Sequence, residues 1–232
     1  MKDETLPVII VIIPAYNEES AIPLVIKEIP SFVTEIIVVN NNSSDDTGGE
    51  ALRAGATVIE EHRPGYGYAC LKGIDYAKKL NPQPDIIVFL DGDHSDFPSE
   101  MQLLIDKIVN DDCDLVIGSR ALGAIEKGSM TFPQLFGNWL ATRLLQLFYS
   151  VKYTDLGPFR AVKFASLLRL DMQDTTYGWT VEMQLKAAKL KMKIAEVPVR
   201  YRKRIGFSKI SGTIRGTVLA GYKIIATIFK YL

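Results

Sequence analysis

The sequence predicts an α/β fold in which helices flank a mostly parallel central sheet. Short runs rich in Val and Ile alternate with stretches of helical periodicity, and these runs are apolar at nearly every position. Strands of this kind are buried on both faces, as in parallel sheets that are covered by helices. The predicted strands span residues 8–13, 35–39, 86–90 and 114–118.

Helices are predicted between these strands and through the second half of the chain. Turn signals separate the elements: an Asn/Ser/Asp loop at 40–47, a proline-broken loop at 81–84, and Pro98 at a helix start. The predicted helices span 18–29, 46–54, 68–80, 99–110, 132–150 and 180–190, and they are followed by a strand at 193–201 and an amphipathic C-terminal helix at 212–232. A further short segment is expected at 159–162.

The composition is that of an ordinary globular protein. The chain has 232 residues, of which 47% are hydrophobic and 23% are charged, and this excludes a disordered or collagen-like chain. Cys70, Cys113, His62 and His94 are too scattered to form a zinc-binding spacing. So few cysteines favour a cytoplasmic compartment. The formal net charge of zero argues against a nucleic-acid partner.

The balanced net charge hides a basic C-terminal part. Residues 186–232 carry twelve Lys and Arg side chains and one acid, Glu196. This segregation predicts contact with an anionic surface or ligand, and the alternative is a solvated basic face. Arg215, Lys223 and Lys230 interrupt the last helix, which favours an interfacial helix over a membrane span. Small residues on one side also allow packing against a second copy, in a homo-oligomer: Gly212, Gly216, Ala220 and Gly221.

Polar clusters follow the predicted strands at the points where the strands end. They comprise residues 14–18, 40–45, 91–96 and 118–120. In open α/β sheets the carboxyl ends of the strands meet at one edge, and ligands bind there. Within these clusters, Asp91 and Asp93 flank Gly92 directly after a buried strand, so both carboxylates can converge on a hard divalent cation. A plain Asp-Gly turn is the alternative, and the neighbouring clusters favour the cation.

Several of these motifs together resemble glycosyltransferase family 2, whose members have the GT-A fold. The resemblance lies in residues 14–18, 39–47 and 90–93. Further motifs resemble the polyprenyl-phosphate branch, which includes the dolichyl-phosphate mannosyl- and glucosyltransferases, and they comprise residues 118–120, 155–160, 197–199 and 204–209. The resemblance implies a catalytic GT-A domain over residues 1–211, with a nucleotide-sugar-binding half (1–120) and an acceptor-binding half (121–211).

The resemblance also implies roles for individual residues. Those matched to the nucleotide site are Pro14, Tyr16, Glu18, Arg63 and Asp91, with Asn40 and Asn41 at the base. Asp91, Asp93 and Ser95 match the site of a divalent cation, Mg²⁺ or Mn²⁺. Positions that gather the acceptor phosphate are Arg120, Arg160, Arg204, Ser208 and Lys209, with Lys203 as an alternative to Arg204. Asp93, Arg120 and Glu182 are the expected catalytic residues.

Asn40 and Asn41 stand where the family usually has two aspartates. A carboxylate only accepts hydrogen bonds and suits the N1–H and N2–H donors of guanine, whereas an amide offers one donor and one acceptor and suits uracil. The pair therefore favours a UDP-sugar over a GDP-sugar, with Asn41 as the first choice for the base contact. The alternative is that the Asn residues cap the following helix or occupy the turn.

The acceptor is inferred from a missing motif. A sugar hydroxyl needs a general base, which many relatives supply from a Glu-Asp pair near the start of a late helix. That pair is absent at 177–182, where Glu182 is the remaining candidate. A phosphate monoester is already ionised near neutral pH and attacks without a base. We therefore expect an inverting hexosyltransferase that acts on a polyprenyl phosphate, bound peripherally at the cytoplasmic membrane face. A hydroxyl acceptor and a non-catalytic nucleotide-sugar-binding protein are the alternatives.

Overall fold

A single mixed sheet forms the centre of the molecule. The computed structural model describes residues 6–206 and 214–231. Within these residues seven strands follow the order β3-β2-β1-β4-β6-β5-β7. The strands are β1 (Ile9–Ala15), β2 (Glu35–Asn40), β3 (Thr57–Glu60), β4 (Ile86–Phe89), β5 (Leu115–Ser119), β6 (Arg160–Lys163) and β7 (Ile194–Pro198).

Eight α-helices within the described residues cover both faces of this sheet. They are α1 (Ile22–Glu28), α2 (Thr47–Arg53), α3 (Tyr66–Ala77), α4 (Met101–Val109), α5 (Phe132–Tyr149), α6 (Phe164–Leu170), α7 (Trp179–Lys189) and α8 (Ile214–Lys230). A 3₁₀ turn at Pro98–Glu100 leads into α4. The predicted α/β class and its mostly parallel sheet are confirmed.

Strand direction divides the sheet into two parts. β1 to β4 are mutually parallel, with Ile12 opposite both Ile37 and Phe89. β6 runs antiparallel to β4 and β5, and β7 is parallel to β5. Crossover helices explain the parallel part, because parallel neighbours need a connection long enough to return along the sheet. All parallel strand ends therefore point to one edge.

The core consists of two apolar layers that alternate strand residues share. Ile10 and Ile12 belong to the layer beneath α3 and α7, whereas Val11 and Ile13 belong to the layer beneath α1 and α4. Successive side chains point to opposite faces of a strand, so one strand supplies both layers. Burial of both faces matches the uninterrupted apolar runs in the sequence.

The predicted elements differ from the observed ones at several places: α6 is absent from the prediction, β7 ends at Pro198 rather than at residue 201, and β3 and the start of α1 differ as follows. β3 is absent from the predicted strands because its side chains are only partly buried and its four residues give a weak pattern. α1 begins at Ile22 rather than at residue 18. The backbone turns first, with Asn17 in the left-handed region at a φ of 53°, and this turn delivers residues 16–18 to the sheet edge.

The C-terminal helix packs against α5 and α7. The Tyr149 hydroxyl donates a hydrogen bond to the Ile228 carbonyl at 2.7 Å, and the Phe148 and Phe229 rings meet edge-on at 5.5 Å. In the part of the chain that the structure describes, no helix combines the length and hydropathy needed to cross a bilayer.

Candidate active site

A cleft opens at the carboxyl ends of β1, β2 and β4. Its volume is about 360 Å³, within the usual range for small-molecule sites. The side chains and backbone that line it come from six segments: residues 14–18, 41–42, 64–69, 91–93, 176–177 and Arg204. Three of the four predicted polar clusters therefore converge on one cavity.

The β1 end supplies one wall of the cleft through Pro14, Tyr16 and Glu18. The Glu18 backbone N–H donates to Thr47 Oγ1 at 2.8 Å, and the Asn41 N–H donates to the Ala15 carbonyl at 2.8 Å. These bonds fix the loop after β1 against the start of α2. Tyr16 stays 45% exposed, so its ring is available as a stacking surface at the mouth of the cleft.

Asp91 and Asp93 lie at the floor of the cleft, directly after β4. Asp93 is 6% exposed, and both the N–H and the hydroxyl of Ser95 donate to its Oδ1. The Tyr66 hydroxyl donates to Asp91 Oδ1 at 3.1 Å. Burial, together with the adjacent Asp93 carboxylate, raises the pKa of Asp91 to about 7. Two crowded carboxylates of this kind attract a cation.

The donor set fits a hard divalent cation such as Mg²⁺ or Mn²⁺. Carboxylate oxygens are the ligands that such ions prefer, and water and phosphate oxygens commonly complete their shell. Within the described residues no group of three His, Cys, Asp or Glu side chains is placed to hold a metal. Ser95 does not line the cleft, and its buried hydroxyl donates to Asp93 and so orients that carboxylate; its place beside a cation stays a prediction.

Arg204 also lines the cleft, where it pairs with two carboxylates. Its Nη2 lies 2.8 Å from Glu18 Oε1, and its Nη1 lies 3.1 Å from Asp93 Oδ2. Lys203 is exposed, and its N–H donates to Glu126 at 3.0 Å. Of these two basic residues, Arg204 is therefore the one in the cleft.

Arg120 lies beside the cleft in a tight pair with Asp155. Its backbone N–H and Nε both donate to Asp155 Oδ2 at 2.8 Å, and its Nη2 donates to Oδ1 at 2.7 Å. The guanidinium also packs 5.0 Å from the centre of the Tyr201 ring. Its charge lowers the pKa of Asp91, as that of Arg204 does. The predicted phosphate role of Arg120 stays a prediction, with Asp155 holding the side chain in place.

Arg160 does not reach the cleft, which corrects its predicted role at the acceptor phosphate. The side chain is completely buried, at 0% exposure. Its guanidinium donates to the carbonyls of Leu156, Gly157 and Thr180. Burial lowers the pKa of Arg160. The residue thus ties the loop before β6 to the start of α7.

The Asn side chains at the end of β2 are occupied by the protein itself. Asn41 Nδ2 donates to the carbonyls of Glu61 and Arg63, at 2.9 and 2.7 Å, and its Oδ1 accepts from the Gly65 N–H at 2.9 Å. Asn40 likewise donates to Glu60 at 3.0 Å. Both amides shape the loop at 60–65, so the prediction that Asn41 reads the base is corrected.

Arg63 turns away from the cleft. It forms a two-pronged pair with Glu61, at 2.9 and 2.8 Å, and its guanidinium lies 4.4 Å from the centre of the Tyr68 ring. Its guanidinium is therefore engaged by Glu61 and Tyr68, and the nucleotide contact stays a prediction. Its carbonyl holds Asn41.

Glu182 is a structural carboxylate rather than a general base, which corrects its predicted catalytic role. It is 0% exposed and accepts from the N–H groups of Gln173 and Asp174, at 3.0 and 2.7 Å. Lys186 pairs with it at 2.8 Å, and the Tyr231 hydroxyl donates to it. Ser208 and Lys209, predicted at the acceptor phosphate, lie outside the described residues.

The family model described as "Glycosyl transferase family 2" matches residues 10–170. This span includes the β1 wall, the Asp91 and Asp93 pair and the α3 start. The chain belongs to glycosyl transferase family 2.

Relatives with the same family features match nearly the whole chain. An uncharacterised glycosyltransferase of Mycobacterium tuberculosis is 32% identical over 213 residues, covering 90% of this chain and 93% of that protein. The dolichyl-phosphate hexose transferase of Haloferax volcanii is 30% identical over 225 residues, covering 94% and 93%. Relatives of this kind confirm the resemblance to the polyprenyl-phosphate branch.

A solved structure has the same fold. It is glucosyl-3-phosphoglycerate synthase from Mycobacterium tuberculosis in complex with Mn²⁺, UDP and phosphoglyceric acid. The TM-score is 0.77 at 22% identity, and the match covers 97% of this chain and 78% of that chain. The GT-A fold predicted from the sequence is confirmed.

The family resemblance places residues 65–70 at the border of the nucleotide pocket, and Tyr66 lines the cleft there with its hydroxyl on Asp91. Thr176 and Tyr177, which also line the cleft, are missing from the sequence prediction. One signal for both is the glycine pattern at 65–67: a Cβ on Gly65 would lie 2.4 Å from the Thr175 carbonyl oxygen, and one on Gly67 would lie 2.1 Å from that of Asp174. Only glycine permits so close a backbone approach.

Proposed function

We propose that this chain transfers a hexose from a UDP-sugar to a polyprenyl phosphate, with inversion at the anomeric carbon, at the cytoplasmic surface of a membrane. One observation carries the proposal: the exposed Tyr16 ring, the Asp91 and Asp93 carboxylates and the Arg204 guanidinium share a single cleft. The ring offers stacking for a base, the carboxylates suit a cation that accompanies a diphosphate, and the guanidinium suits a phosphate.

The donor half of the proposal is supported by the fold relative. That relative is described with Mn²⁺ and UDP, and it shares the fold that places the cleft of this chain at the carboxyl ends of β1, β2 and β4. Tyr16 can stack on either a pyrimidine or a purine. The Asn41 side chain is bound to the loop at 60–65. The choice of UDP as the donor nucleotide therefore depends on the likeness to this relative and not on a side chain that reads the base.

Asp91 and Asp93 would hold the divalent cation. When bound, such an ion neutralises charge that develops on the departing diphosphate. The protein prepares both carboxylates for this role, because the Tyr66 hydroxyl orients Asp91 and Ser95 orients Asp93. Arg204 compensates their charge from across the cleft.

A phosphate acceptor is supported by the state of the carboxylates in the cleft. Glu18 and Asp93 are paired with Arg204, and Asp91 accepts from Tyr66. Glu182 is buried away from the cleft lining. An ionised phosphate needs no base: its oxygen forms a bond to the anomeric carbon while the bond to the diphosphate oxygen breaks, and that electron pair leaves with UDP.

Membrane contact is supported by an apolar surface that α5 and α8 share. We name it the α5–α8 surface, and its exposed side chains are Phe132, Leu135, Phe136, Trp139, Leu147, Phe148, Val218, Leu219, Tyr222 and Phe229. The two helices pack together and the Phe148 and Phe229 rings meet, and exposed apolar side chains gathered on neighbouring helices are typical of membrane or protein interaction sites. Lys230 accompanies it on α8, and a basic side chain near an anionic lipid surface adds about 1 kcal/mol of attraction.

The transfer is tested with the full chain, Mn²⁺ and undecaprenyl phosphate in detergent, supplied with radiolabelled UDP-glucose or GDP-mannose. We expect label in the butanol phase from the UDP-sugar, at least about 100-fold above the Asp93→Ala variant. Asp75→Asn, an exposed carboxylate on α3, is the matched control and keeps full activity. Label that stays in the aqueous phase with every donor contradicts the polyprenyl acceptor, and butanol-soluble label from GDP-mannose alone contradicts the UDP donor.

Membrane contact is tested with tryptophan fluorescence, because the chain has two tryptophans. Trp139 is 52% exposed on the α5–α8 surface, and Trp179 is 1% exposed in the core. Vesicles with 30% anionic phospholipid are expected to shift the emission to the blue, as the Trp139 ring enters the interface. The Trp139→Phe variant loses the shift. An unchanged emission spectrum together with a stable dimer would favour a protein partner on this surface.

A further inference from the structure

Part of the cleft wall is a turn without regular secondary structure. Residues 173–178 precede α7, and Thr176 and Tyr177 within them line the cleft. The turn also contacts the start of α3, where the Tyr68 N–H donates to the Thr175 carbonyl at 3.1 Å. The position of this turn therefore sets the width of the donor cleft.

Two buried carboxylates hold the backbone of this turn. Asp174 Oδ1 accepts from the N–H groups of Thr176 and Gly178, at 2.8 and 3.1 Å. Glu182 accepts from the N–H groups of Gln173 and Asp174, at 3.0 and 2.7 Å. A carboxylate that accepts several backbone N–H bonds fixes the local path of the chain.

Both carboxylates are held in turn by the C-terminal helix and the residue that follows it. Lys223 Nζ on α8 lies 3.1 Å from Asp174 Oδ2, and the Tyr231 hydroxyl lies 2.5 Å from Glu182 Oε1. Thr227 completes the contact from the same side, because a Cβ on Gly178 would lie 2.5 Å from Thr227 Oγ1. α8 and Tyr231, which follows it, therefore contact both carboxylates that hold the turn.

We propose that Lys223 and Tyr231 are positioning residues of the donor site, through which α8 keeps the 173–178 turn in its donor-binding shape. This inference rests on the donor cleft of the proposed function and adds that the C-terminal helix is part of it. Neither side chain lines the cleft, so each acts through its carboxylate partner. Such an action alters donor affinity and leaves the chemical step intact at saturating donor.

The α8 helix connects the α5–α8 surface to the cleft wall. The helix that carries Lys223 also exposes Val218, Leu219 and Tyr222 on the α5–α8 surface. A residue that joins this helix to the cleft wall is therefore well placed to transmit small shifts of α8 to the donor site, since coupling passes through packed elements and ion pairs.

The test measures UDP binding to the full chain by calorimetry with Mn²⁺, without vesicles. Lys223→Met and Tyr231→Phe are each expected to weaken UDP binding roughly 3- to 10-fold. In the transfer assay the donor KM rises by the same factor, and kcat changes less than about twofold. Lys223→Arg restores most of the affinity because it keeps the charge. Lys79→Met, which removes an exposed lysine near the end of α3, binds UDP as the wild type does.

A double variant decides whether Lys223 acts through Asp174. If it does, Lys223→Met adds less than about twofold to the loss caused by Asp174→Asn, because the shared interaction is already gone. A full additional loss in the double variant overturns the inference, as does unchanged UDP affinity in both single variants. Should Lys223→Met fail to fold, Tyr231→Phe, alone and combined with Glu182→Gln, makes the corresponding comparison at the second carboxylate.

The design separates this inference from the proposed donor. UDP binding by the wild type tests the donor, whereas the ratio between wild type and variant tests the positioning role. If the wild type binds GDP with Mn²⁺ and not UDP, the donor assignment fails, and the ratio is then measured with GDP.

Discussion

Arg204 forms an ion pair with Asp93 across the cleft, with 3.1 Å between Nη1 and Oδ2. The same guanidinium holds Glu18 at 2.8 Å. The Arg204 guanidinium therefore lies beside Asp93, and Asp93 is the carboxylate proposed to bind the divalent cation. If the chain binds a metal-bound donor as proposed, these charges would be redistributed, and Arg204 would become available to a phosphate.

The first prediction concerns Arg204→Met. In this variant no Arg204 guanidinium competes with Mn²⁺ for the Asp93 carboxylate. The affinity for Mn²⁺ in the absence of nucleotide is therefore expected to rise roughly 3- to 10-fold. Transfer activity falls at least about 10-fold, because a phosphate contact is lost. Mn²⁺ titration monitored by electron paramagnetic resonance, and the butanol assay, check the two effects. Weaker Mn²⁺ binding in Arg204→Met would show that the arginine does not compete with the ion.

The second prediction concerns Asn41→Asp. A carboxylate cannot donate to the carbonyls of Glu61 and Arg63, which Asn41 Nδ2 now satisfies, so the loop at 60–65 loses its shape. UDP and GDP are both expected to bind more weakly, by roughly 10-fold, with their ratio unchanged. Calorimetry with each nucleotide and Mn²⁺ measures this ratio. A selective gain for GDP would restore the base-reading role that the sequence comparison suggested.

The fold could be predicted largely from apolar patterning. Val11 and Ile37 lie in runs that are buried on both faces, and such runs identify parallel strands wherever helices cover them. The reversed direction of β6 could not be predicted in this way. Alternation and burial have the same form in parallel and antiparallel strands, and direction depends on where the chain crosses the sheet.

The sequence predicted site residues correctly where their motifs place them in the cleft. It did not predict which side chains instead form hydrogen bonds to backbone groups elsewhere in the chain. Tyr16, Asp91 and Arg204 lie in the cleft as their motifs suggested. Asn41 and Glu182 instead satisfy backbone groups up to 24 residues away. The type of a residue alone does not show whether its polar side chain points at solvent or completes an internal hydrogen bond.

The third prediction concerns acid stability through Glu61. The hydrogen bonds from Arg63 hold the pKa of Glu61 at about 2, below its ordinary value of 4.5. A lowered folded-state pKa stabilises the protein above the unfolded-state pKa, and this stabilisation is lost as the pH falls from about 4.5 toward 2. Glu61→Gln removes it. Urea unfolding at pH 7 should show a difference of about 1–2 kcal/mol from wild type, allowing for solvent screening of Arg63.

The difference between wild type and Glu61→Gln should narrow as the pH approaches 3. Asp75→Asn, an exposed carboxylate on α3, serves as the comparison and should run parallel to wild type. A difference that stays constant between pH 7 and pH 3 would show that Glu61 acts through packing and not through its charge.

The fourth prediction concerns Glu182→Gln, which separates a structural carboxylate from a catalytic base. The substitution leaves Lys186 without its ion-pair partner at a nearly buried site, so the free energy of unfolding should fall by about 2–3 kcal/mol. Lys186→Met, which removes the same pair, should lower it by a similar amount. For both variants kcat at saturating donor should stay within a few-fold of wild type, with an unchanged pH profile. Loss of a general base would instead lower kcat about 10²- to 10⁴-fold, and a loss of that size in Glu182→Gln alone would return the residue to the catalytic set and favour a hydroxyl acceptor.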